Sequence, residues 1–254
     1  MDINNILDDY KEGRIDKERA IRKIKLLAVK ELENLCLDIS RKIRKDIPEI
    51  ILAEGKTNED VIRASMTILE ENNHVIISRA NKQLANIIIE QFKDLAKASY
   101  YEKGRVISIR KEELKELKEP PIAIVTAGTA DVKVAEEARA VVNELGFKTI
   151  CCYDVGIAGL QRVFLAVKKC IEENAEVAIV VAGMEGALPS VFSSLFPGIV
   201  IGVPSSVGYG YGGGGVAALM AMLQSCTPGM VIVNIDNGVG AAVAAVLISR
   251  LKSL

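Results

Sequence analysis

The second half of the chain alternates short apolar runs with helical segments, and no other feature constrains its fold as strongly. Five runs of five or six residues each lead into a glycine-containing turn and then a helical pattern. Because these runs are apolar throughout, they predict a parallel sheet with helices on both faces. Right-handed crossovers between such strands give a doubly wound α/β sheet. The predicted strands are Ile122–Thr126, Thr149–Tyr153, Val177–Ala182, Ile199–Val203 and Met230–Asn234.

Residues 1–119 have a different composition and predict a smaller α+β domain. They hold 24 of the 32 basic and 23 of the 33 acidic residues, but only three of the 20 glycines. A charged stretch over 110–119 ends at Pro120 and Pro121 and is typical of a linker, so we expect domains at 1–119 and 120–254. The predicted elements of the first domain are helical segments from Ile3 to about Ile47, over Asn58–Glu71 and over Lys82–Lys97, and strands over Glu49–Glu54, Val75–Ser78 and Arg105–Ile109.

Charge and composition disfavour several classes of partner. The formal net charge is -1, so no global positive field is available to attract nucleic acid. The N-terminus lacks the basic start and apolar run of a secretory signal, and we expect a cytoplasmic protein. The apolar stretch Gly238–Ser249 is shorter than the roughly 20 residues that a bilayer requires, so it predicts a buried helix and no membrane partner. Five cysteines without a Cys-x-x-Cys pair, together with one histidine, favour free thiols over disulfides or a zinc site.

Ligands of doubly wound sheets bind at the carboxyl ends of the strands. The turn Thr126–Asp131 could hold a phosphate on free backbone N–H groups, or Thr129 and Asp131 could serve only as helix N-caps. Six glycines between Gly208 and Gly215 cost backbone entropy, which suggests close approach of a ligand or a second subunit, with a flexible loop as the alternative. We expect the chemistry in the loops 126–131, 154–162, 183–190 and 204–215, with 224–229 close enough to contribute.

Two reactive side chains stand out in these loops. Cys226 precedes the last predicted strand in a loop that exposes it, as a nucleophile requires, although a small buried hydrophobe is the alternative. Glu185 follows an apolar strand, and an apolar setting would disfavour its charged form and make it a useful acid or base; a helix N-terminal charge is the alternative. The single histidine, His74, lies in the first domain and is interpreted as a surface or hydrogen-bonded residue.

Five motifs of the second half carry a resemblance to known families. They are Thr126-Ala-Gly-Thr-Ala-Asp131, Asp154-Val-Gly-Ile-Ala-Gly-Leu-Gln-Arg162, Ala182-Gly-Met-Glu-Gly-Ala-Leu-Pro189, Pro204-Ser-Ser-Val-Gly208 continuing to Gly215, and Cys226-Thr-Pro-Gly229. A weaker match at Glu54-Gly-Lys-Thr57, with Arg79, extends the resemblance into the first domain, so most of the chain is covered. With these motifs the second half resembles the PurE-type carboxylases and mutases of purine synthesis. The whole pattern resembles the LarB family, the pyridinium-3,5-biscarboxylic acid mononucleotide synthases of nickel-pincer cofactor synthesis.

The resemblance implies a PurE-like sheet of flavodoxin type, nicotinic acid adenine dinucleotide and CO2 or bicarbonate as substrates, and the dicarboxylated pyridinium mononucleotide and AMP as products. Cys226 would supply a thiolate, and Glu185 or Asp131 would remove a proton. We favour Glu185 as the base and assign Asp131 to orienting ribose or metal. Mg²⁺ with unidentified ligands, no organic prosthetic group and a homo-oligomer are expected. The expected substrate-binding residues are Thr126, Gly128, Thr129, Asp154, Gly156, Gly159, Arg162, Gly183, Ser205, Gly208, Gly212 and Gly213.

The sequence departs from these families at two positions. Ala187 stands where PurE enzymes carry a histidine, so purine-pathway mutase activity is expected to be absent. Gln161 stands where the LarB pattern has histidine, and its amide can still hydrogen-bond a phosphate or ribose. Two alternatives remain, namely a carboxylase of another heteroaromatic nucleotide and a non-catalytic nucleotide-binding module.

Overall fold

The computed structural model describes residues 3–27, 30–32, 35–37 and 45–251. The chain begins with two helices, and a short antiparallel hairpin follows them. The prediction of helix up to Ile47 is therefore wrong beyond the second helix, and Cys36 lies in a strand. Leu35 and Leu37 are two residues apart, and so short an apolar run fits a strand as well as a helix. These elements are α1 (Ile3–Lys11), α2 (Lys17–Leu27), β1 (Lys30–Leu32) and β2 (Leu35–Leu37).

A four-stranded mixed sheet follows, with two helices capped by the side chains of Thr57 and Asn81. The second of these helices ends at Phe92, whose carbonyl accepts from the N–H groups of both Leu95 and Ala96, so the predicted helix to Lys97 is too long. The strand Lys97–Tyr101, which comes next, was not predicted. The elements are β3 (Ile50–Leu52), α3 (Asn58–Asn72), β4 (His74–Ser78), α4 (Lys82–Phe92), β5 (Lys97–Tyr101) and β6 (Val106–Arg110), with strand order β3-β4-β6-β5.

The doubly wound parallel sheet predicted for the second half is confirmed. The strands are β7 (Ile122–Thr126), β8 (Thr149–Cys152), β9 (Val177–Ala182), β10 (Ile199–Pro204) and β11 (Met230–Ile232). All five strands are parallel, and their order β8-β7-β9-β10-β11 is that of flavodoxin-like sheets. The helices are α5 (Val132–Glu144), α6 (Leu160–Glu172), α7 (Leu188–Leu195), α8 (Val216–Leu223) and α9 (Gly238–Leu251), and short 3-10 turns cover Thr129–Asp131, Ile157–Gly159 and Gly210–Gly215.

Alternate residues of the strands pack into two separate cores. Ile122 and Ile124 face α5 and α9, whereas Ala123 and Val125 face α6, α7 and α8. Helix α9 contributes four fully buried residues, which confirms the predicted buried helix. Across the part of the chain that the structure describes, no helix is both long and apolar enough to cross a bilayer.

Strand β4 runs antiparallel to helix α5 and packs along it, and this contact joins the two sheets. At one end His74 Nε2 lies 3.1 Å from Glu144 Oε2, and at the other Ser78 Oγ donates to Glu137 Oε1 at 3.1 Å. The turn between β5 and β6 also reaches α5, where a Cβ on Gly104 would lie 2.5 Å from the carbonyl oxygen of Glu136. Only glycine permits this approach, so the packing holds the first sheet in a fixed place beside the start of α5.

Candidate functional site

A cavity of about 630 Å³ opens at the carboxyl edge of the parallel sheet. It lies where the strand order reverses between β7 and β9, the position at which doubly wound sheets bind ligands. Its walls come from the loops after β7, β8, β9 and β10, four of the loops expected to carry the chemistry. Of the predicted site residues, those that line it are Gly128, Thr129, Asp131, Asp154, Gly156, Gly183, Glu185 and Gly208.

Asp131 is the carboxylate that the fold buries in this wall, with 4% of its surface exposed. Its Oδ2 accepts from the Gly128 N–H at 2.9 Å, whereas its buried Oδ1 lies close to Gly183 without a hydrogen bond of regular geometry. Asp131 is the N-cap residue of α5 but makes no side-chain cap on that helix, and its bond to the Gly128 N–H caps the short 3-10 turn before it. Burial raises the pKa of Asp131, although the nearby Gly128 N–H, Ser205 hydroxyl and Gly183 N–H oppose that rise. A desolvated carboxylate in the wall of a cavity is suited to accept a proton.

Glu185 also lines the cavity, but its side chain is exposed. The expectation that apolar neighbours would desolvate it is wrong. Met184, at a φ of +50°, and Gly186, at +63°, form a tight turn that directs the side chains of both Met184 and Glu185 outward. The environments expected for Glu185 and Asp131 are therefore reversed, because Asp131 is the desolvated one.

Several predicted binding residues shape the loops without lining the cavity. The hydroxyl of buried Thr126 accepts from the Asp154 N–H at 3.1 Å, and the Ser205 hydroxyl accepts from the Val207 N–H at 3.1 Å. Arg162 donates to the Asp154 carbonyl at 2.9 Å and to its carboxylate at 3.1 Å, which fixes the loop after β8. The predicted residues that do not line the cavity are Thr126, Gly159, Arg162, Ser205, Gly212, Gly213 and Cys226.

One glycine in this wall is required by close packing. A Cβ on Gly183 would lie 2.1 Å from the carbonyl oxygen of Val207, so the loops after β9 and β10 can meet only at a glycine. At Gly213, by contrast, no atom of the described residues lies within 4 Å of the position of a Cβ, and the φ of -57° is ordinary. Neither packing within one chain nor backbone conformation therefore requires glycine at position 213.

Cys226 is exposed, as expected, but it lies away from the cavity. Its loop precedes β11 and so lies at the amino edge of the sheet, where the Gly229 carbonyl accepts from Val200 N–H at the start of β10. Helix α8, about 12 Å long, separates this loop from the glycine-rich segment. The expectation that 224–229 lies close to the other loops is therefore wrong within one chain.

The other thiols with described side chains do not line the cavity either. Cys151 and Cys152 are half-buried and Cys170 is buried, and all are free, as expected. A hydrogen bond from Cys170, with help from Lys169, lowers the pKa of Cys152 to about 7, which the sequence did not indicate. Sequence reasoning also missed Ile157, Ala158, Val207 and Tyr209 as lining residues. All four lie inside the predicted loops 154–162 and 204–215, and that position is the signal that could have found them.

Two family models match the chain. The LarB/PurE-like N-terminal domain matches residues 29–112, and AIR carboxylase matches residues 121–253. The chain is 38% identical over 252 residues to an uncharacterized protein of Methanocaldococcus jannaschii, covering 98% of this chain and 97% of that protein. It is 32% identical over 134 residues to the N5-carboxyaminoimidazole ribonucleotide mutase of the same organism, covering 52% of this chain and 80% of that protein. A probable enzyme of the same name from Methanothermobacter thermautotrophicus is 33% identical over 131 residues, covering 50% of this chain and 37% of that protein.

Proposed function

Because this chain belongs to the LarB family and carries a PurE-like C-terminal domain, we propose that it carboxylates the pyridinium ring of nicotinic acid adenine dinucleotide and hydrolyses the phosphoanhydride. The products would be pyridinium-3,5-biscarboxylic acid mononucleotide and AMP. The observation that carries the proposal is Asp131, a buried carboxylate with a raised pKa that lines a 630 Å³ cavity at the switch point of the sheet. Carboxylation of a ring carbon needs a base at such a place.

The proposed reaction begins with addition, because a pyridinium ring is electron-poor and does not attack CO2. A thiolate forms a C–S bond at the carbon para to the ring nitrogen, and the ring becomes a neutral dihydropyridine whose neighbouring carbon is nucleophilic. That carbon forms a C–C bond to CO2. A base then takes the proton from the new tetrahedral carbon, and departure of the thiolate restores aromaticity.

Asp131 is the better base on the geometry. Burial favours its protonated form, so it can receive a proton more readily than a solvated carboxylate. The exposed Glu185 lacks that desolvation. This assignment reverses the roles expected from the sequence.

We propose that the thiolate comes from Cys226 of a second copy, since Cys226 does not line the cavity of its own chain. Helix α8 next to it carries no charged residue, yet Val216, Met220 and Leu223 on it are exposed. A helix that is apolar on all sides is normally covered. We therefore propose a homo-oligomer in which another chain covers α8 and the open position beside Gly213.

Magnesium would neutralise charge on the phosphoanhydride during hydrolysis. The described residues contain no group of three or more side chains suited to hold a metal ion. Mg²⁺ commonly needs only one or two carboxylates when substrate phosphates supply the other ligands. The exposed Glu185 at the cavity fits that limited role, so we propose it as the protein ligand.

A second candidate is carboxylate transfer on an aminoimidazole ribonucleotide, which the similarity to the two mutases favours. The cavity wall opposes it, because Ala187 lines the place where the resemblance puts a histidine. The only histidine of the chain, His74, is hydrogen-bonded to Glu144 between the two sheets, as its interpretation as a hydrogen-bonded residue predicted.

The test is mass analysis of small-molecule products with isotopically labelled bicarbonate and Mg²⁺. With nicotinic acid adenine dinucleotide we expect one labelled carboxylate on a pyridinium mononucleotide, together with AMP. Turnover of N5-carboxyaminoimidazole ribonucleotide alone would establish the second candidate. Binding of the dinucleotide without any product, in protein shown to be oligomeric, would support the non-catalytic nucleotide-binding module.

A further inference from the structure

A second cavity, of about 210 Å³, lies between the two domains on the other side of the turn Thr129–Asp131. Ala130 and Val207 form part of the walls of both cavities, so the two are direct neighbours. The smaller one is below the roughly 300 Å³ at which ligand sites for drug-sized molecules begin. It is therefore better suited to one part of a ligand whose remainder occupies the larger cavity.

Two arginines of the first domain are held rigidly in this cleft. Arg79 and Arg105 have φ angles of +56° and +55°, a left-handed conformation that non-glycine residues adopt at a cost. Arg105 donates through Nη2 to the Arg79 carbonyl at 2.9 Å and through Nε to the Ala80 carbonyl at 3.2 Å. Arg79 donates through Nη2 to the Asp236 carbonyl of the second domain at 2.9 Å. Both guanidinium groups are thus positioned before any ligand arrives.

The charges in the cleft are only partly paired. Arg79 is paired with Glu54, at 2.7 Å, and its Nε lies 3.7 Å from Glu137. Arg105 and the exposed Lys133 have no carboxylate within 4 Å among the described residues, although both help Arg79 to lower the pKa of Glu54. Two cations therefore remain available to an anion.

The carboxylates of the same cleft add a second kind of recognition. Glu54 is more than half exposed, and Asp236 accepts from the Ser206 N–H at 2.8 Å with one oxygen, while no described residue donates to the other. In nucleotide-binding sites, carboxylates accept hydrogen bonds from ribose hydroxyls, whereas Arg and Lys bind phosphate. A cleft with both kinds of group matches a phosphorylated ribose better than it matches a free anion.

From these observations we propose that the interdomain cleft binds the phosphoribosyl group of a second nucleotide unit, while the first unit occupies the larger cavity. Arg105 and Lys133 would contact the phosphate, and Glu54 and Asp236 would contact the ribose. This inference rests on the proposed function in its choice of a dinucleotide, and it gives the N-terminal domain a role in selecting a dinucleotide over a mononucleotide.

The test compares the affinities of two probes, nicotinic acid adenine dinucleotide and nicotinic acid mononucleotide, by calorimetry on the full chain. Lys133→Glu should weaken dinucleotide binding at least tenfold and leave mononucleotide binding within twofold. Lys93→Glu, at an exposed lysine of the first domain that does not line the cleft, should change neither affinity. Arg105→Gln should act in the same direction as Lys133→Glu.

Equal weakening of both probes by Lys133→Glu, or no weakening of either, would overturn the proposal. So would a wild-type protein that binds the mononucleotide as tightly as the dinucleotide. Because these measurements need no turnover, they separate the two ideas. A selective loss in a protein that forms no carboxylated product would leave the cleft assignment standing and remove the proposed reaction, whereas normal turnover with no selective loss would do the reverse.

Discussion

The two ends of helix α5 carry buried carboxylates with opposite properties. Asp131 precedes the first residue of the helix and Glu144 is its last, and both are almost completely buried. The pKa of Asp131 is raised, because desolvation exceeds the effect of its few donors. The pKa of Glu144 is lowered in spite of burial, because His74, Ser108, Tyr101 and Arg110 surround it with donors and positive charge. Burial alone therefore does not decide the protonation of a carboxylate.

The helix dipole predicts the reverse order. An anion is favoured at the N-terminus of a helix and disfavoured at the C-terminus, by about 0.3–1 kcal/mol. Removing one partner from a buried ion pair costs about 3–5 kcal/mol, so the surrounding partners outweigh the dipole. The end with few partners faces the cavity, and the end with many partners joins the two domains. The comparison thus separates a carboxylate available for chemistry from one that stabilises the fold.

The largest expected effect concerns the two residues that the proposed shared site brings together, Asp131 at the carboxyl edge of the sheet and Cys226 at its amino edge. Cys226→Ala and Cys226→Ser should each reduce carboxylation to background, while the other four cysteines can be replaced without loss of turnover. Cys226→Ala mixed and reassembled with Asp131→Asn should regain activity, since one chain supplies the base and another the thiolate. Product formation in the mixed oligomer is the measurement. Inactivity of the mixture, with each variant correctly assembled, would contradict a shared site, and a monomer mass in light scattering would exclude it.

Asp131→Asn tests the cavity end of the helix. It should lower the single-turnover rate by about 10²–10⁴-fold, the usual contribution of a general base, with little change in dinucleotide affinity. In the wild-type enzyme the rate should rise as Asp131 loses its proton, with a midpoint above the ordinary value of 3.8.

The same variant should be more stable than the wild type at neutral pH. Because the folded-state pKa of Asp131 is raised, its contribution to stability is present below its unfolded pKa and is lost as the pH rises through the folded value. Asparagine removes the buried charge, so the melting temperature at pH 7 should increase by a few degrees. An unchanged or lower melting temperature would show that Oδ1 is not an uncompensated charge.

Glu144→Ala tests the opposite end. It leaves four polar partners without their acceptor, and the free energy of unfolding should fall by about 3–5 kcal/mol, whereas turnover at low temperature should persist. The lowered pKa of Glu144 means that its contribution is present above the unfolded value, near 4.5, and is lost as the pH falls through the folded value. The variant Glu144→Gln keeps the shape of the side chain but cannot titrate. Its free energy of unfolding by denaturant should therefore fall less between neutral and acidic pH than that of the wild type.

The sequence predicted the parallel sheet well because its strands are marked locally. Ile122–Thr126 and Val177–Ala182 match the observed strands residue for residue, since proline or glycine follows or precedes each apolar run. The cavity loops followed from the carboxyl ends of these strands, where doubly wound sheets bind ligands. The burial of Asp131 could not be read in the same way, because Gly183 and Ser205, which lie against it, are distant in sequence. The carboxylates Glu137 and Glu144 offered one unused signal, since their seven-residue spacing places them on one face of α5.

The smallest expected effect is that of Glu185→Gln, the matched control for Asp131→Asn. Both carboxylates line the cavity, and both substitutions remove a charge while keeping the shape of the side chain. Because Glu185 is exposed, water can replace it in a proton transfer, and its removal should lower the single-turnover rate less than tenfold.

As the proposed protein ligand to Mg²⁺, Glu185 should matter for hydrolysis instead, and its loss should raise the Mg²⁺ concentration needed for half-maximal hydrolysis. Measuring carboxylation and AMP release separately, across a Mg²⁺ titration, distinguishes the two roles. A loss of carboxylation as large as that in Asp131→Asn would show that Glu185 is the base, and the contrast between a desolvated and a solvated carboxylate would not explain the chemistry.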